Sequence, residues 1–105
     1  SSSNPQELSV TCKAPVRVYA GTLIKRWKPM IASLKDNYLT FTDASDEIHA
    51  QFFLDSSVTV TPYLEEENSL VIRDRNNVRV AVNFESEGEE KCWKTFIERA
   101  IFGKQ

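Results

Sequence analysis

Leu70 to Trp93, LVIRDRNNVRVAVNFESEGEEKCW, is the stretch whose reading decides the fold, because its apolar period changes once within it. Ser69–Arg73 and Val78–Asn83 are short β-rich runs on either side of the polar turn Asp74-Arg75-Asn76-Asn77, so they read as a hairpin. After Phe84 the spacing turns helical. Ser86 with Glu89 three positions on matches a capping box, and Trp93, Phe96, Ile97, Ala100 and Ile101 recur as one apolar stripe. Gly103 is placed to stop the helix, and Lys104 suits the negative end of its dipole.

Upstream, every element reads as a strand. Arg17 to Ile24 alternates, with Val16, Val18, Ala20 and Thr22 on one face and Arg17, Tyr19, Gly21 and Leu23 on the other. Met30–Lys35 and Tyr38–Phe41 flank Lys35-Asp36-Asn37, where Asp and Asn supply turn geometry. Ala50–Leu54 and Val58–Thr61 are separated by Asp55-Ser56-Ser57. Residues 1–15, with Pro5, Pro15 and three serines, read as an irregular lead-in anchored by Val10, and residues 16–105 as one domain. The class is therefore α+β, mainly β: short strands closed by one C-terminal helix.

A chain of 105 residues that is 41% hydrophobic and 27% charged can enclose one modest core. Its net charge of −2 gives no overall field for nucleic acid. Cys12 and Cys92 have no C-x-x-C spacing and read as inert thiols in a reduced, cytosolic setting. No apolar run approaches the roughly 20 residues that span a bilayer. Ser1-Ser2-Ser3, in place of an opening methionine, reads either as an added remnant or as a cut within a longer protein, so that any N-terminal lipidation would lie outside this segment. No glycine-rich phosphate loop, H-E-x-x-H helix or calcium loop occurs. His49 is the only histidine and has no Ser or Cys beside it placed as a nucleophile, so neither an enzyme, a cofactor nor a metal site is expected.

In this order the elements resemble pleckstrin-homology (PH) domains. Leu70–Trp93 is similar to the family's last hairpin and capping helix, whose hallmark is the tryptophan; Gly21–Lys25 is similar to its first strand, and Trp27–Phe41 to its second and third. The resemblance covers roughly residues 16–101. It implies a PH-like seven-stranded β-barrel, an orthogonal sandwich of two sheets capped by the helix, with Trp93, Phe96 and Ile97 as structural residues.

The family's familiar ligand is a phosphoinositide headgroup, and clustered phosphates need several converging cations with an arginine fork. In binding members a lysine ends the first strand, and a basic-x-Arg pair follows on the second. Here Lys25 matches that lysine and Lys28 the basic residue, but Met30 stands at the arginine position and only Arg26 and Trp27 separate the two lysines. Pro29 also removes a ladder donor. The resemblance thus implies a degenerate pocket in a protein–protein interaction or scaffold module. The alternative is a lipid-binding module for phosphoinositide or phosphatidic acid that uses Lys25, Arg26 and Lys28. A PH domain with a lapsed pocket is similar to the sub-compartment proteins of the apicomplexan inner membrane complex. That likeness implies a cytoplasmic protein peripheral to a membrane, attached by N-terminal acylation.

Trp27 reads either as a partner-binding anchor, as an interfacial residue beside Lys25, Arg26 and Lys28, or as packing on the barrel rim. Arg73, Arg75 and Arg79 cluster around one hairpin, available to Glu65–Glu67, to an acidic partner or simply to solvent as a charged edge. Self-association is open.

Overall fold

The computed structural model describes residues 12–20 and 23–102. Seven strands precede one helix: β1 (Cys12–Ala20), β2 (Arg26–Lys35), β3 (Tyr38–Thr42), β4 (Ile48–Phe53), β5 (Thr59–Pro62), β6 (Ser69–Arg73), β7 (Arg79–Asn83) and α1 (Glu87–Phe102). All pairings are antiparallel, in the order β4-β3-β2-β1-β7-β6-β5. The strands β1–β4 and β5–β7 are thus parts of one sheet joined through β1. Among the described residues the sheet stays open between β4 and β5.

The first strand differs from its sequence reading. It begins at Cys12, where it pairs with Leu34, and ends at Ala20 opposite Arg26. Residues 12–15, expected in the lead-in, are therefore strand, and Leu23, Ile24 and Lys25 stand outside it, exposed. The Gly21–Lys25 resemblance placed the strand too late in the chain: the interior partners for β2 lie in Cys12–Ala20, and alternation could not see them past Pro15. Gly21, Thr22, Val10, Gly103 and Lys104 lie outside the described residues.

The core is the set of inward side chains that period two selects. Val16, Val18 and Ala20 from β1 meet Met30, Ala32 and Leu34 from β2, Leu39 and Phe41 from β3, Phe52 from β4, Leu70 and Ile72 from β6, and Val80 and Val82 from β7. Trp93 and Ile97 of α1 close it, with the Trp93 ring stacked on Phe84 at 6.2 Å between centroids. Phe96, expected in the same structural stripe, is instead 37% exposed and only edges onto Trp93. At 100° per residue it sits off the Trp93–Ile97 line. The Ser86 hydroxyl accepts a hydrogen bond from the Glu89 N–H at 3.2 Å, which is the cap the sequence announces.

One turn residue ties three elements together. Asp36 and Asn37 both have positive φ, 52° and 67°, as a two-residue hairpin of right-handed twist requires. The Asn37 amide donates to the Leu54 carbonyl at 3.2 Å and to Ala100 O at 3.0 Å, one of the last helical carbonyls that α1 leaves without an intrahelical donor. Elsewhere aspartates shape the turns. Asp43 accepts from the Ser45 hydroxyl and N–H and from the Glu47 N–H; Asp55 accepts from Ser57 in the same way; Asp74 accepts from the Asn76 and Val78 N–H groups.

Three outcomes follow for stability. Trp93→Ala removes the large ring from the core and should cost about 3–5 kcal/mol in urea unfolding. Asn37→Gly keeps the left-handed turn but loses both amide bonds, for about 1–3 kcal/mol; Asn37→Ala should cost more because φ stays positive. The hydroxyls of Ser45 and Ser57, then backbone N–H groups, hold the Asp43 and Asp55 carboxyls below the usual carboxylate range. A folded-state pKa below the unfolded value gives stability that is present above about pH 3.9 and lost as pH falls through the folded pKa. Denaturation series from pH 5 to pH 2 should therefore lose less stability in an Asp43→Asn/Asp55→Asn variant than in the parent.

Candidate functional site

Among the described residues, the basic residues that lie together in the sequence are divided between separate clefts beside the β1–β2 hairpin. The first is the barrel mouth, an open cleft of 760 Å³ lined by Ala20, Lys28, Pro29, Met30, Asp43, Ser45 and His49. It is formed by the end of β1, the start of β2 and the β3–β4 turn. Met30 pairs with Val16 and is 6% exposed, so its thioether belongs to the core floor rather than to the rim. Lys28, two residues earlier on the same face, lies beyond the core and is exposed.

His49, the single histidine of the sequence, is exposed and is brought to this mouth by a β-bulge. Phe41 pairs with Ala50 but Thr42 pairs with Ile48, which leaves His49 as the extra residue. No sequence pattern announces that bulge. The mouth therefore carries Lys28 and His49 together with the carboxylate of Asp43, which faces its own turn.

Lys25 lies in the second cleft, of 290 Å³, with Tyr19, Tyr63, Arg79 and Ala81. Lys25 and Lys28 thus do not converge on one site, and the Lys25-Arg26-Lys28 cluster of the sequence reading is split across the hairpin. Arg26 opens β2 opposite Ala20 and is exposed. Trp27 is half-buried: it pairs with Tyr19 across β1–β2, their rings 5.2 Å apart, and meets the edge of Tyr63 at 6.1 Å. Trp27 thus packs on the sheet surface through Tyr19 and Tyr63. The grouping of Tyr19 and Tyr63 with Trp27 is not legible in the sequence, because cross-strand register is invisible to a single alternating run.

The Tyr63 hydroxyl donates to Glu65 at 3.1 Å. That bond to Glu65, then partial burial and the negative charge itself, pushes the phenol above its ordinary pKa, while Arg79 pulls the other way. Arg73 and Arg79 are direct register partners on β6 and β7 and both are exposed. Arg75 in the turn pairs with Asp55 at 3.5 Å. Among the described residues none of these arginines forms an ion pair with Glu65–Glu67. Two like charges facing each other on a ladder are destabilising.

Cys12 and Cys92 are both free, and they line one groove between β1 and the start of α1; Cys92 is exposed rather than buried. Among the described residues no cluster of His, Cys, Asp and Glu is placed to hold a metal, and no helix is long and apolar enough to cross a membrane.

No family model and no curated protein matches the chain. Solved structures do. The C-terminal PH domain of pleckstrin superposes with a TM-score of 0.73 at 24% identity, over 88% of this chain and 97% of that one. The same domain in complex with D-myo-Ins(1,2,3,5,6)P5 gives 0.73 at 22% identity, over 85% and 92%. The PH domain of human oxysterol-binding protein-related protein 11 gives 0.73 at 9% identity, over 93% and 85%. Similarity of this kind across sequences so different establishes architecture, and the chain has the fold of pleckstrin-homology domains.

Proposed function

We propose that this chain is a non-catalytic PH-type binding module whose barrel mouth is degenerate as a phosphoinositide pocket and whose outer sheet face docks a protein, as part of a membrane-associated scaffold. The observation that carries the reading is the charge at the mouth. Polyphosphate recognition needs several cations and preferably a planar fork. The mouth offers one lysine, one histidine and an aspartate, with Met30 turned into the core. Lys25 and Arg79 face the other cleft or its rim. One of the pleckstrin structures of this fold is described in complex with an inositol pentakisphosphate, and that chemistry is what this mouth is poorly supplied for.

The outer face supports a protein partner of acidic character. Arg73 and Arg79 repel each other across the β6–β7 ladder and would both gain from a carboxylate laid between them. Beside them the cleft of Tyr19, Tyr63 and Lys25 offers aromatic surface of the kind that anchors interfaces. Attachment to the membrane itself is then supplied outside this segment, by acylation.

The alternative is a lipid module that uses Lys25, Arg26 and Lys28 against phosphoinositide or phosphatidic acid. What favours it is the exposure of Lys25 and Arg26 beside Leu23 and Ile24, which are 96% and 73% exposed.

Flotation with vesicles containing phosphatidic acid or single phosphoinositides decides between the two. Binding should be weak, indifferent to headgroup and lost at physiological salt. Saturable, headgroup-selective binding at that salt, abolished by Lys25→Ala/Lys28→Ala, would sink the favoured reading. Arg79→Glu separates folding from docking: it should raise stability by roughly 0.2–1 kcal/mol by replacing the Arg–Arg pair with an ion pair. In calorimetry the same substitution should weaken binding of an acidic peptide at least tenfold; unchanged peptide affinity would speak against docking at this face.

A further inference from the structure

The cleft of Tyr19, Lys25, Tyr63, Arg79 and Ala81 holds positive charge that the fold leaves uncompensated. Among the described residues neither Lys25 nor Arg79 forms an ion pair, and Arg73 stands beside them as the register partner of Arg79. Glu65, the acid that reaches this group, accepts from the Tyr63 hydroxyl at 3.1 Å and pairs with no cation.

The cleft is also shaped for one flat group. Tyr19 and Tyr63 both line it, and Trp27 touches both rings, at 5.2 Å and 6.1 Å between centroids, which fixes them before any ligand arrives. Next to Tyr19, on β7, stands Ala81, opposite the bulkier Val71 on β6, so the small residue leaves room beside the ring. The volume of 290 Å³ lies just under the roughly 300–1,000 Å³ that whole small-molecule ligands occupy. It suits a single side-chain group and is too small for a stretch of chain.

We infer that this cleft binds a phosphotyrosine side chain of a protein partner. The inference rests on the reading of this face as a docking surface for an acidic protein, and it names the group that enters. A phosphate monoester carries about −1.5 to −2 charges at pH 7, so one group answers both Lys25 and Arg79, whereas a carboxylate leaves one of them uncompensated. Arg79 offers two phosphate oxygens a planar fork, and Lys25 adds a point charge. Arg73, repelled by Arg79 across the ladder, is relieved by the same anion. The aryl ring of the ligand packs offset or edge-on against Tyr19 and Tyr63. Phosphoserine brings the charge but no ring. The barrel mouth is not equivalent, because its Lys28 shares the site with the Asp43 carboxylate.

NMR titration of the isotope-labelled chain with N-acetyl-O-phosphotyrosine amide tests it, beside the phosphoserine and glutamate analogues. The expected result is saturable shifts centred on Tyr19, Ala81 and the Arg79 side chain. The phosphotyrosine analogue should bind about fivefold tighter than phosphoserine and about tenfold tighter than glutamate. Lys25→Met and Arg79→Met should each weaken it about fivefold or more. Tyr19→Leu should erase the preference for phosphotyrosine over phosphoserine, and Glu65→Gln should tighten binding by removing a like charge. Lys28→Met, at the mouth, should leave it unchanged. Circular dichroism and a urea midpoint no lower than the parent's verify that each variant is folded. Equal affinity for the phosphotyrosine and glutamate analogues would overturn the inference and leave the acidic-partner reading standing. No saturable shift up to roughly 20 mM of either, with an acidic peptide also failing to bind in calorimetry, would remove both. Binding that depends on Lys28, or that is indifferent to Lys25 and Arg79, would likewise overturn it.

Discussion

Strand β1 is hydrogen-bonded on both sides, to β2 along its whole length and to β7 through Arg17↔Asn83 and Val18↔Val82. Those few rungs are all that converts two antiparallel meanders into one curved sheet with an interior. The inward residues Val16, Val18 and Ala20 on β1 therefore touch the contents of both halves, and Val18 is completely buried. With β1 held in this way, the sheet curls far enough that one helix suffices to cover what remains open. Trp93 and Ile97 supply that cover, and Asn37 fastens the far end of the helix to the β2–β3 turn.

The same arrangement divides the surface into chemically distinct territories. Lys25 lies in the connection before β2 and Lys28 within the strand, and they end in different clefts although only two residues separate them. Tyr19, Trp27 and Tyr63 gather where β1, β2 and the residues after β5 meet. Arg73 and Arg79 stand on β6 and β7. The outer face of β2–β4 is left almost without charge. A mouth with one lysine, an arginine-bearing face and a nearly uncharged face thus stand side by side among the described residues.

Much of the architecture was legible in the sequence because it rests on local periodicity. Strands β3 to β7 fall within about two residues of the alternating runs, β2 starts earlier than its run at Arg26, and α1 follows the cap at Ser86 and the spacing of Trp93 and Ile97. Two failures have physical causes. Pro15 within the run and the polar Cys12-Lys13 start concealed the first half of β1, whose strand character comes from pairing with β2. Phe96 kept helical spacing but fell outside the arc that meets the sheet.

The sequence by itself determined the order of elements, the inward residues and the capped terminal helix, since each is a matter of residue type and short-range spacing. Only the tertiary structure decided where the first strand begins and that the hairpin splits the basic cluster. It alone brought His49 to the mouth through a bulge, opposed Arg73 to Arg79, and set Ile31, Tyr38, Ile48 and Phe53 on one face. These depend on register between strands distant in the chain, and register is fixed by the packing of the whole core, which no single run of residues contains.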